Sequence, residues 1–188
     1  MPGLAALLDA CVLIPTPLRD TLLLLAEAGF YRPHWSEEIL EEVRRNLVKR
    51  GMATEAEAQS VINALRAGFP EACARDYAQI SLAMTNDPKD RHVLAAAVVS
   101  GAPVIVTANL RDFPPSSVAP HGIEVRTPDA FLTELFERDP AGLAALLERQ
   151  AATLDAESVD VHVLLEKLAV QAPEFARRLG ACLSTGGK

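Results

Sequence analysis

The sequence predicts an α/β fold with a mostly parallel central sheet, followed by a purely helical C-terminal extension. Three observations predict it. Short apolar runs such as Leu4 to Leu8 and PVIVT alternate with longer amphipathic segments, the pattern of strands joined by helical crossovers. The helical segments carry their own start and stop residues. From Asp139 onward the strand signal is gone and only helical periodicity remains. The chain therefore divides into a main domain, residues 1–138, and an extension, residues 139–188.

Each element has a local reason. Leu4 to Leu8 reads as a buried parallel strand. Beyond Pro15 and Pro17, TLLLLAEAG is helical and ends at Gly29. FYRPHW reads as a second strand. Ser36 caps SEEILEEVRRNLVKR, which stops at Gly51, and Thr54 caps a helix to about Arg66. A helix and then a strand near Gln79 to Met84 are expected in the next stretch. NDPKDRHVLAAAVVSG reads as a helix with Asp87 as N-cap, Pro88 at the first position and Gly101 as terminator. PVIVT is a strand, ANLRDFPP the loop after it, IEVR a further strand, and a helix opens at Pro128. AGLAALLERQAATL, VDVHVLLEKLAVQ and PEFARRLGACL supply the later helices.

Composition narrows the function classes. Of 188 residues 49% are hydrophobic but only 5% aromatic, so the core is largely aliphatic and the chain globular. Lys and Arg number 18 against 25 Asp and Glu, a net charge of −7. That balance argues against a broad basic face coating a duplex, but not against an enzyme whose acids surround a divalent cation. No apolar stretch approaches the ~18 residues of a membrane span. The apolar N-terminus lacks a basic leader and is interrupted by Asp9, so it reads as a strand rather than a signal peptide. Cys11, Cys73 and Cys182 are odd in number and widely spaced, as expected of buried thiols in a reducing cytoplasm.

Four acidic positions stand out. Asp9 lies between Leu8 and the run Ala10 to Ile14, where an ionised carboxylate is costly unless paired or bound to a metal. It ends the first strand, and open parallel sheets bind ligands beyond their carboxyl ends. Asp90 falls on a helical wheel at the centre of the stripe formed by Val93, Leu94 and Ala97, so it points inward. Asp112, with Asn109, sits in the loop after PVIVT. On the helix after Ser36, with core positions Ile39, Leu40, Val43 and Leu47, Glu38 and Glu41 point to solvent. Glu37 and Glu42 flank the stripe on opposite sides, and Asn46 lies one turn beyond Glu42. Periodicity leaves those two glutamates open. His92, on the same helix as Asp90, offers two readings, a neighbour of the site or an ordinary, partly exposed histidine, and the second is preferred. The phosphate-cradling glycine loops, the GxSxG elbow and the HExxH spacing are all lacking.

The segments LLDACVLIP with LRDTLLLLAEAG, WSEEILEEVRRNL and NDPKDRHVLAAAVVSGAPVIVTANLRDF, spanning about Leu7 to Pro114, together resemble the PIN-domain family, in particular its VapC-like bacterial branch with a helical extension. The resemblance implies a three-layer α/β/α fold and a Mg²⁺- or Mn²⁺-dependent endoribonuclease. It implies that Asp9, Glu42, Asp90 and Asp112 are both catalytic residues and metal ligands, and so selects Glu42 over Glu37. Asn46, Asp87, Arg91, Asn109 and Arg111 become supporting or RNA-contacting positions, and Arg44, Arg45, Lys49 and Arg50 further candidates to hold the RNA backbone. Cys11 stands where a common form of the family has Asn, which implies a weakened local hydrogen bond. The resemblance also implies RNA as substrate, a cytoplasmic setting without a membrane, a cognate antitoxin and a homodimer. The competing readings are a non-catalytic PIN-like module that binds RNA or protein, and a phosphohydrolase of another fold, for which DACVL lacks the second Asp.

Overall fold

The computed structural model describes residues 4–153 and 161–186. β1 (Ala5–Leu8) is followed by a short helix, α1 (Ala10–Leu13), and by α2 (Thr16–Glu27), which returns the chain to β2 (Arg32–His34). Then come α3 (Glu37–Lys49), α4 (Glu55–Gly68), α5 (Ala78–Ser81) and α6 (Arg91–Ser100), leading into β3 (Val104–Val106). After a 3₁₀ turn (Leu110–Asp112), α7 (Pro115–Val118) precedes β4 (Glu124–Arg126). α8 (Pro128–Arg138), α9 (Pro140–Thr153), α10 (Val161–Ala169) and α11 (Pro173–Gly186) complete the described chain.

All four strands are parallel, in the order β2-β1-β3-β4. A parallel neighbour must be reached by a crossover, and right-handed crossovers put helices on both faces, giving the α/β/α arrangement. The chain steps from β1 outward to β2, then returns past β1 to β3 and continues outward to β4. The direction of winding therefore reverses between β1 and β3, and a cleft opens at their carboxyl ends. β1 and β3 are buried along their whole length, which is why they are the most continuously apolar segments of the sequence.

The capping residues act as the sequence suggests. Ser36 Oγ accepts from the Ile39 amide, and Thr54 with Glu57 forms a reciprocal capping box. Gly51 (φ 65°) and Gly101 (φ 65°) take the left-handed conformation that ends α3 and α6. Two expectations fail. The segment Gln79 to Met84 is not a strand: it holds the end of α5 and a turn, with Leu82 84% exposed. The sheet-like pairing of this region is instead a single parallel bridge between Trp35 and Cys73, in which Trp35 N–H donates to Ala72 and Ala74 N–H to Trp35. Pro33 limits pairing on the outer side of β2, because it has no N–H to donate.

The second failure concerns α6, which starts at Arg91 rather than after Asp87. The Asp87 carboxylate accepts from the Lys89 amide and closes a local turn, so Pro88 belongs to that turn and Asp90 occupies the N-cap position. The Asp90 side chain makes no cap hydrogen bond.

With few aromatic residues, edge-to-face ring pairs lie at the joints between elements. Tyr31 meets Phe131 of α8 at 5.0 Å, Trp35 meets Phe69 after α4 at 5.8 Å, and Phe136 of α8 meets Phe175 of α11 at 6.3 Å. The Tyr31 hydroxyl donates to the Leu22 carbonyl. α8 thus packs against β4 on one side and carries α11 on the other, while α10 packs on α11 and reaches α2. Asp129 of α8 accepts from the Phe175 amide at 2.9 Å, satisfying an otherwise free donor at the start of α11. Asp129→Ala should lower stability by about 1 kcal/mol, or about 2–4 °C in melting temperature for a chain of this size. It should also open the C-terminal helices to limited proteolysis before the sheet. Melting and proteolysis that both match wild type would remove Asp129 as the link.

Candidate active site

The cleft between β1 and β3 is built around one buried carboxylate. Asp9 follows β1 directly and is 4% exposed; its backbone N–H continues the sheet ladder to Val106 O at 3.1 Å. Oδ1 accepts from the Ala10 amide at 2.7 Å, which makes Asp9 the N-cap of α1. Oδ2 accepts from the Thr107 hydroxyl at 2.6 Å and the Cys11 thiol at 3.1 Å. Three donors hold the carboxylate in one orientation and offset the cost of burying it.

Cys11 does not leave the gap that the absence of an Asn implies. Its sulfur donates to Asp9 and accepts from the Ala108 amide at 3.2 Å, so it ties the end of β1 to the loop after β3. Burial, and then the charge of Asp9, push the Cys11 thiol up to about 12. It remains a protonated donor.

Asp90 and Asp112 join Asp9. Burial raises the Asp90 carboxyl, the charges of Asp9 and then Asp112 raise it further, and a hydrogen bond with the Asp112 side chain adds to them, taking it to about 6. Lys89 opposes this shift only in part. Asp112 is positioned by the 3₁₀ turn after β3 and by a backbone bond from Asp87 N–H to its carbonyl at 3.2 Å. This backbone bond is the contribution of Asp87 on the site side. Acids from three separate stretches of chain therefore act on one another at the carboxyl end of the sheet, with Asp90 as the one that feels both others.

Glu42 approaches from α3 through an intermediary. His92 is buried, 7% exposed, with Nε2 3.4 Å from Glu42 and Nδ1 3.7 Å from Glu38. Burial lowers the affinity of this imidazole for a proton, but Glu42, Glu38 and Asp90 outweigh it and raise its pKa. The sequence reading weighed His92 as a site neighbour but preferred a partly exposed histidine; the structure buries it on the otherwise apolar face of α6 after Asp90. The same contact corrects the account of α3. Glu38 faces His92 and accepts from the Tyr77 hydroxyl at 3.2 Å, rather than pointing only to solvent. Glu37 lies on the other flank, paired with Arg66 of α4, so Glu38 and not Glu37 is the neighbour of Glu42.

The remaining candidates separate. Asn46 Nδ2 donates to the Glu42 carbonyl at 2.8 Å. Asn109 is exposed, and its amide donates to Thr107 Oγ1. Arg111 is exposed beside Asp112, while Arg91 is partly buried, with a buried Nε that has no partner among the described residues. Arg44 pairs with Glu41 and with Glu55 of α4, away from Glu42. Among the described residues no three His, Cys, Asp or Glu side chains already stand as a ligand group for a metal ion. Glu42 lies against His92. The chemistry of the set still fits a hard cation. Asp9, Asp90 and Asp112 offer only oxygen donors, and the repulsion that lifts Asp90 is what a positive ion relieves.

No helix among the described residues is long and apolar enough to cross a membrane. Residues 5–111 match the PIN domain family, and residues 128–181 match the family described as VapC50 C-terminal domain. The second match begins at Pro128 and so includes α8. The chain is 38% identical over 120 residues, 63% of its own length and 70% of the relative's, to a protein of Mycobacterium tuberculosis (strain ATCC 25618 / H37Rv) named "Putative ribonuclease VapC50". No solved structure matches the chain significantly. The strand order, the acids at the carboxyl ends of β1 and β3 and the match over residues 5–111 agree, and the chain belongs to the PIN-domain family.

Proposed function

We propose that the chain is an endoribonuclease that hydrolyses RNA phosphodiester bonds with the help of Mg²⁺ or Mn²⁺. The observation that carries this reading is the buried Asp9 at the switch point of a PIN-family sheet, with the charges of Asp9 and Asp112 both acting on Asp90. The relative's name as a ribonuclease supports it. Asp9, Glu42, Asp90 and Asp112 would hold the cation. When bound, it would supply positive charge to the scissile phosphate and lower the pKa of the attacking water. Thr107 and Cys11 hold Asp9 in one orientation, and His92 of α6 stands 3.4 Å from Glu42 of α3. Residues 1–138 act as the nuclease domain and 139–188 as an extension docked through α8. The same reading carries a cytoplasmic setting, a cognate antitoxin and a second copy of the chain as partners.

Metal and pH should act together on stability. The folded Asp90 binds its proton more tightly than the unfolded chain, so its ionisation costs stability as pH rises from about 4 through about 6. A bound cation favours the ionised form and removes that cost. Mn²⁺ at about a hundredfold its dissociation constant should stabilise the protein by about 2.7 kcal/mol at pH 7.5, a rise of about 5–10 °C. The rise should shrink toward pH 5, where Asp90 keeps its proton, and vanish in Asp9→Asn/Asp90→Asn. An equal rise in that double variant, or none in wild type, would sink the metal assignment.

The α3 glutamates supply the second test. Glu42→Gln should cut RNA cleavage by roughly a hundredfold or more, since even partners outside the ligand set usually matter 10- to 100-fold. Glu38→Gln should lose less, because it acts through His92. Glu37→Gln breaks only its pair with Arg66 and should stay within about twofold. Cleavage rates at matched circular dichroism decide it. An active Glu42→Gln beside an inactive Glu37→Gln would place the site on the other flank of α3.

A further inference from the structure

His92 is the polar exception on the buried side of α6. Its neighbours Val93, Leu94, Ala95, Ala96 and Ala97 are buried and apolar, and the residue itself is only 7% exposed. An aliphatic side chain of similar size would fill that place without the cost of taking a polar group out of water. Packing therefore does not account for an imidazole there. Among the described residues neither ring nitrogen has a partner in hydrogen-bonding geometry. At ion-pair distance stand two carboxylates of α3, Glu42 at 3.4 Å from Nε2 and Glu38 at 3.7 Å from Nδ1. The two glutamates are one helical turn apart, where like charges repel, and the ring faces both. Glu38 is held from behind by the Tyr77 hydroxyl, which donates to its Oε1 at 3.2 Å while Oε2 faces the ring. The charges of Glu42, Glu38 and Asp90 all act on the ring, and those of Asp9 and Asp112 act on Asp90. His92, two residues beyond Asp90 on the same stretch of chain, is thus the side chain on which α3 and the acid cluster both act.

We propose that His92 is a positioning residue of the site: its imidazole, with Glu38 and Tyr77 behind it, fixes the carboxylate of Glu42 so that α3 supplies a ligand to the cation set. The proposal rests on the ribonuclease reading and adds to it a tie between α3 and α6. Nε2 is the atom that makes the tie, since it faces Glu42, whereas Nδ1 faces Glu38 and steadies the ring. The Glu42 and Glu38 side chains are 30% and 58% open to solvent. Removing the ring leaves both carboxylates in reach of water, so neither charge is stranded as a fully buried ion would be. What is lost is the single orientation of Glu42. A long side chain on a helix surface has several rotamers open to it, and a metal ligand works only when its neighbours hold it in one.

The test compares His92→Leu, His92→Gln and His92→Asn in the full chain. The amide nitrogen of a glutamine reaches near the place of Nε2 and that of an asparagine near the place of Nδ1, so the pair separates the two nitrogens while each keeps a donor. The measurements are melting temperature without metal, Mn²⁺ affinity from the electron paramagnetic resonance signal of the free ion, and kcat and KM on a short single-stranded RNA. His92→Leu should melt within about 3 °C of wild type or above it. It should bind Mn²⁺ about tenfold or more weakly and lose kcat with little change in KM for RNA. His92→Gln should recover most of the affinity and of kcat, and His92→Asn should not. Equal recovery by glutamine and asparagine, recovery by neither, or an unchanged Mn²⁺ affinity in His92→Leu would overturn the positioning role. If His92→Leu does not fold, the glutamine and asparagine variants decide alone. If Mn²⁺ affinities follow this order while wild type cleaves no RNA, the ribonuclease reading fails and the positioning role stands. Cleavage and Mn²⁺ binding at wild-type level in all three variants gives the reverse.

Discussion

A buried carboxylate needs hydrogen-bond donors in the place of water, and the site depends on how that requirement is met at Asp9. Its amide belongs to the sheet ladder and its oxygens to Ala10, Thr107 and Cys11. These bonds come from both sides of the point where the winding reverses. The orientation of Asp9 is therefore a property of the sheet rather than of one loop. With that carboxylate fixed in place, an acid brought near it is pushed toward neutrality. Asp90, set at the start of α6 and free of capping duty, is the acid that responds.

The same logic explains how Cys11 serves at a position where the family resemblance leads one to expect an amide. The position needs a donor to Asp9 and an acceptor for the Ala108 amide, and a protonated thiol does both. Its neighbourhood suppresses the reactivity usual for a half-buried cysteine, since the thiolate is the form that burial and Asp9 disfavour. A charged helix can likewise serve two masters. One flank of α3 is spent on α4, while the other carries Glu38 and Glu42, and the stripe between them anchors the helix in the core.

The C-terminal helices are joined to the sheet rather than strung behind it. α8 contributes Phe131 to Tyr31 and Phe136 to Phe175, and α10 reaches α2. The match to the VapC50 C-terminal domain starts at α8 for a reason visible in the packing: without that helix, α11 loses its aromatic partner and its cap.

Sequence by itself determined what local physics controls. Caps at Ser36 and Thr54, stops at Gly51 and Gly101, two unbroken apolar strands and an acid at the end of the first were all readable, because each rests on neighbours within a turn. Where long-range contacts decide, reading failed. Gln79 to Met84 has strand-like residues, but pairing beside β2 falls at Ala72 to Ala74. Asp87 has the residue type of a cap, but its carboxylate closes a turn with Lys89. A helical wheel showed that Glu37 and Glu42 flank the core, and could not show that α4 covers one flank and His92 meets the other. Those outcomes depend on which helix packs where, a choice set by the crossover path of the whole chain rather than by the spacing of residues within one helix.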